Sequence, residues 1–86
     1  MRHARDEDLD RLEDVLAALR ALPALKEKKR GVFYFRSRAF LHFHEDPGGL
    51  FADIGGGPFG GPFERVDVTD AAGRSALLRL AMERLA

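Results

Sequence analysis

The run His42-Phe43-His44-Glu45-Asp46 places two imidazoles and two carboxylates within five residues. In an extended strand successive side chains point to opposite faces, so His42 and His44 share a face, and a following carboxylate can swing toward them from a turn. Two imidazoles and a carboxylate make a ligand set for zinc or non-haem iron. His42, His44 and Asp46 are therefore the candidate ligands of a divalent metal, the one cofactor the sequence suggests. The same groups suit general acid–base catalysis, because imidazole titrates near neutrality and neighbouring carboxylates tune it. A nucleophile to go with them is lacking: there is no cysteine, and Ser37, Ser75 and Thr69 each have a local role in a turn, a helix or a cap. The balance falls against an enzyme. A plainer role outweighs the metal at this level, with His42 and His44 on the less buried face of a hairpin, packed beside Tyr34 or Phe40 and hydrogen-bonded locally.

A second constellation is basic. Lys26, Lys28, Lys29, Arg30, Arg36 and Arg38 surround one end of the same hairpin, with Tyr34 and Phe40 available to stack on bases. Fourteen basic and fourteen acidic side chains cancel over the whole chain, so no global field draws it to a polyanion. Nucleic-acid binding would rest on this patch alone, and a solvated linker and a polar turn account for the charges more simply. Gly55 to Gly60 formally matches G-x-G-x-x-G, but Pro58 interrupts it and no helix opens after it, so a flexible connection is the better reading.

These residues are carried on a short series of elements. From Asp8 to Leu22 the apolar residues Leu9, Leu12, Val15, Leu16, Leu19 and Leu22 recur at intervals of three and four, which predicts an amphipathic helix that ends before Pro23. Ala24 to Arg30 reads as a charged linker. Val32 to Phe35 and Phe40 to His44 read as a hairpin closed by Arg36-Ser37-Arg38, Leu50 to Ile54 as a third strand, and Phe63 to Val68 as a fourth. Between the last two, Gly55 to Pro62 holds five glycines and two prolines in eight residues and reads as a loop. Thr69 or Asp70 caps a closing helix with Leu77, Leu78, Ala81 and Leu85 on one face. The expected fold is α+β: an N-terminal helix, a three- to four-stranded antiparallel sheet and a C-terminal helix, in one small domain spanning 1–86.

Leu22-Pro23 with Glu27-Lys28, then Phe33, Phe35, Arg38, Phe40, Asp46, Gly49 and Leu50, resembles the N-terminal half of the MmcQ/YjbR-like small bacterial proteins. The resemblance covers residues 20–54 and does not extend to the glycine-rich segment. It implies an α+β domain with a DNA-binding role and supplies no catalytic residues.

Eight aromatic residues, Phe33, Tyr34, Phe35, Phe40, Phe43, Phe51, Phe59 and Phe63, are many for a core beneath two short helices. A sheet with apolar residues on both faces wants cover on both. The leading expectation is accordingly a non-enzymatic domain that acts through its sheet surface, as a homodimer or by binding a protein or other macromolecule. No apolar run approaches the length of a membrane span, the charged N-terminus lacks the apolar centre of a secretory signal, and the absence of cysteine fits a cytoplasmic setting.

Overall fold

A computed structural model describes residues 2–56 and 61–86. Residues 57–60, which include Phe59 and most of the G-x-G-x-x-G match, lie outside the described residues. The chain order is β1 (Arg2–His3), α1 (Asp6–Asp10), α2 (Glu13–Arg20), β2 (Leu25–Lys29), β3 (Val32–Phe35), β4 (Arg38–Asp46), β5 (Gly49–Ile54), β6 (Glu64–Asp67) and α3 (Ala71–Leu85). The α+β class expected from the pattern is what forms, an antiparallel sheet with helices toward both ends of the chain.

The sheet is larger than expected. Among the described residues it has six strands, in the order β2-β3-β4-β5-β6, with β1 paired to β4 off that path. The two strands absent from the expectation are β1 and β2. Strand β2 is the segment Leu25-Lys26-Glu27-Lys28-Lys29, which reads as a linker because its charges hide any apolar alternation. It lies at the sheet edge, where lysines discourage pairing with a second chain. Glu27 faces the helices, where Arg20 of α2 holds it with two hydrogen bonds of 2.6 and 3.1 Å.

The N-terminal helix is in fact two. Arg11 and Leu12 interrupt it, with Leu12 at φ −105°, ψ 9° as the cap of α2. The three-and-four spacing survives the break, because Leu9, Leu12, Val15, Leu16 and Leu19 all remain buried. At the other end of the chain the Asp70 side chain accepts from the Gly73 backbone N–H at 2.8 Å and caps α3. Gly73 itself is required: a Cβ there would stand 2.1 Å from the Asp67 carbonyl oxygen.

The helices supply one side of the core and one face of the sheet supplies the other. Phe33, Phe35, Leu41, Phe43, Leu50, Ala52 and Ile54 are buried with Leu77 and Ala81 of α3. Phe40 joins them through a β-bulge, since Phe33 pairs with Leu41 and Tyr34 with Ala39, which leaves Phe40 without a partner. Four of the aromatics thus fit a one-sided core. Tyr34 and Phe51 are half-buried on the opposite face, and Phe63 is exposed. No helix among the described residues is long and apolar enough to cross a membrane.

Candidate metal centre

The bulge at Phe40 decides where the histidines point. The β3–β4 turn pairs Phe35 with Arg38 and Tyr34 with Ala39; continued without interruption, this register would set Val32 opposite Leu41 and turn His42 toward the helices. One extra residue restores the alternation, so Leu41 and Phe43 enter the core while His42 and His44 stand on the open face. The β4–β5 hairpin then brings the carboxylate. Pro47 and Gly48 form a two-residue connection, Asp46 pairs with Gly49, and counting back along the ladder places Asp53 opposite His42.

The result is a compact group. His44 Nε2 lies 2.8 Å from Asp53 Oδ2, and His42 Nε2 lies 3.6 Å from the same oxygen. One donor atom from each of His42, His44 and Asp53 falls within 4.8 Å of the other two. Ligand atoms about 2.1 Å from a metal stand roughly 3.0 Å apart at a right angle and roughly 3.4 Å apart at a tetrahedral one. The two contacts to Asp53, the shorter of them a hydrogen bond in this structure, are close to those edges, and the two imidazole nitrogens lie within 4.8 Å of each other.

Neighbouring residues fix these groups. Arg65 of β6, the cross-strand partner of Asp53, donates from Nε to Asp53 Oδ1 at 3.1 Å. That leaves Oδ2 facing the imidazoles. His3 of β1 pairs with His44, and its ring centroid lies 5.3 Å from that of His44 and 5.9 Å from that of His42. Phe63 packs edge-on against His42 at 5.5 Å.

Burial, together with the charges of His44 and His3, holds the His42 imidazole below its ordinary pKa, against the pull of Asp53. For Asp53, burial pushes the carboxyl up, but the Arg65 hydrogen bond and the positive charges of His44 and Arg65 outweigh it and hold the carboxyl below the usual range. The lowered His42 value favours its neutral form and the lowered Asp53 value its carboxylate, the forms that bind metal.

Asp46 stands elsewhere: its Oδ1 accepts from the Gly48 N–H at 2.7 Å, within the turn. Glu45 faces the helix side and pairs with Arg2 at 2.7 Å. Asp53, His3 and Arg65 are the members that sequence reading missed. The signal for Asp53 was present in the two-residue turn, from which its position opposite His42 follows; β1 is too short to leave a pattern, and the register of β6 depends on a glycine- and proline-rich connection too long to set a pairing.

The basic residues gather in part: Lys26, Lys28 and Arg36 line one hollow with Tyr34, and Lys28, Lys29 and Arg30 line a second that also includes Tyr34. Arg30 is held by Asp6, Asp10 and Glu13 at 2.8 to 3.1 Å. Arg36 lies in the β3–β4 turn with its guanidinium 5.1 Å from the Phe35 ring centre, and Arg38 is exposed at the start of β4. Lys26, Lys28 and Lys29 remain together on β2, with Lys28 Nζ 4.7 Å over the Tyr34 ring.

No family model, curated protein or solved structure matches the chain.

Proposed function

We propose that this protein binds a divalent transition-metal ion through His42, His44 and Asp53 on the open face of its sheet. The convergence of three donor atoms from two adjacent strands within 4.8 Å carries the reading. Two nitrogen donors and one oxygen favour zinc, iron(II) or cobalt(II) over the harder calcium and magnesium, which take oxygen ligands. Arg65 supports it by orienting the ligand carboxylate, the role that outer hydrogen bonds play around metal sites. Three protein ligands leave coordination positions for water or a further group.

The test is calorimetric titration of tag-free protein with Zn²⁺, paired with the visible spectrum of the Co²⁺ form. One ion per chain is expected, with loss of that binding in Asp53→Ala and in His42→Ala/His44→Ala. Arg65→Gln keeps all three ligands and is expected to weaken binding by about 10- to 100-fold. Binding that is unchanged in Asp53→Ala would remove the site.

A second reading keeps the sheet surface as the working part. The helices cover one face only, and Tyr34, Phe51 and Phe63 line the other. Pairing with a second copy through that face would cover them, and light scattering of wild type against Phe51→Glu measures it: a dimer that dissociates in the variant supports this reading, and a monomeric wild type rules it out.

A further inference from the structure

Strands β1 and β3 both pair with the same edge of β4, β3 along residues 38–42 and β1 at residues 44–45. They lie end to end on that edge, the Ala4 N–H bonded to the Phe43 carbonyl at 3.1 Å where they approach, and the two strands part there to leave a notch. A cavity of about 410 Å³ occupies it, bounded by the β2–β3 turn on one side and the β1–α1 connection on the other. Its lining is sharply divided. Leu9 and Phe43, both core residues, show through the notch with Ala4 and Val32 and give it an apolar floor. Lys28, Lys29, His3 and Tyr34 stand around its rim.

The charges on that rim are unbalanced. Arg30 also lines the cavity, but its guanidinium is neutralised by Asp6, Asp10 and Glu13. Among the described residues no carboxylate lies within ion-pair distance of Lys28 or Lys29. A concave apolar floor with a few convergent polar groups is the usual form of a small-molecule site. Here those groups are two ammonium ions and an imidazole, with no acceptor of opposite charge between them.

The geometry points to a binding site for a small organic anion, its apolar body on Leu9, Phe43 and Val32 and its anionic head between Lys28 and Lys29. The head then lies on the open face, where His3 borders both this notch and the His42–His44–Asp53 group. A bare inorganic anion would leave the apolar floor wet, and a neutral hydrocarbon would leave the two ammonium groups without an anionic partner. The site requires both halves of the ligand. It does not depend on metal, so it stands or falls separately from the proposal above.

The chain has one tyrosine and no tryptophan, so its intrinsic fluorescence reports on Tyr34 at the rim. Metal-free protein would be titrated with hexanoate, hexyl phosphate, hexanol, hexylamine and acetate, while emission and the backbone amide resonances of Gly31 and Val32 are followed. Hexanoate and hexyl phosphate are expected to give saturable changes, with the preferred head group showing the tighter binding; acetate, hexanol and hexylamine are expected to bind at least about tenfold more weakly. Lys28→Glu/Lys29→Glu changes two exposed residues and leaves the floor intact, and it is expected to weaken hexanoate by about tenfold or more. Hexanol binding as well as hexanoate would overturn the inference. So would unchanged affinity in the charge-reversed variant, or no saturable response to either anion in emission and amide shifts alike.

Discussion

Asp53 shows how one side chain acquires a role from its neighbours. Alone on a strand face it would be a solvated carboxylate; between Arg65 and two imidazoles it is ionised, oriented and half-buried. Glu27 is set in a comparable way on the opposite face, for stability. The Arg20 hydrogen bonds, aided by the Gly31 N–H and opposed by burial, hold its carboxyl below the ordinary glutamate value of about 4.3. A carboxyl whose pKa is lower in the folded state stabilises the fold above its unfolded pKa, and that contribution disappears as pH falls through the folded value. Glu27→Gln is therefore expected to lower stability at neutral pH and to flatten the loss of stability below about pH 4.3, so that the two proteins converge in acid. Urea denaturation from pH 7 to pH 3 measures this, and parallel curves would show that the Arg20 pair contributes nothing.

At the scale of elements, the β3–β4 hairpin is the most informative. Its two turn residues, Arg36 and Ser37, have φ of 52° and 68°, the left-handed pair that a two-residue hairpin turn demands and that Asn-Gly usually supplies. A non-glycine residue there costs about 1–2 kcal/mol, and glycine returns roughly 0.5–1 of it as unfolded-chain entropy. Ser37→Gly is thus expected to stabilise the protein by about 0.5–1 kcal/mol while keeping the Arg36 contact with Phe35, and thermal unfolding checks it. The same hairpin shows what sequence can carry. Residues 32–35 and 40–44 announce strands by their aromatic and β-branched content, and the histidine pair by its period of two. The face on which that pair stands depends on the unpaired Phe40, which no local pattern marks, since Phe40 and Leu41 are equally apolar. Asp53 needed only a count across Pro47-Gly48. Strand β2 was hidden because Lys, Glu, Lys and Lys satisfy an edge position and a helix partner, neither of which leaves apolar alternation. The break between α1 and α2 was hidden for the opposite reason, since the apolar spacing runs through it unchanged.

For the whole molecule, 86 residues around a one-sided core leave little margin. A ligand that binds only the folded state adds to that margin by mass action, about 2.7 kcal/mol when it is present at 100 times its dissociation constant. The His42–His44–Asp53 group exists only when β4 and β5 are paired in register, so an ion held there is bound to the native hairpin and scarcely at all to the unfolded chain. In a domain of this size each kcal/mol moves the midpoint by about 4–8 °C. Saturating Zn²⁺ is expected to raise the unfolding temperature of the wild type by roughly 10–20 °C on that scale, and to leave Asp53→Ala at its metal-free value. Isolated histidines that bind the ion in the unfolded chain would give the reverse sign, because stabilising the unfolded state lowers the midpoint. The direction of the shift, read by calorimetry with and without chelator, therefore separates a site built by the fold from histidines that merely share a strand.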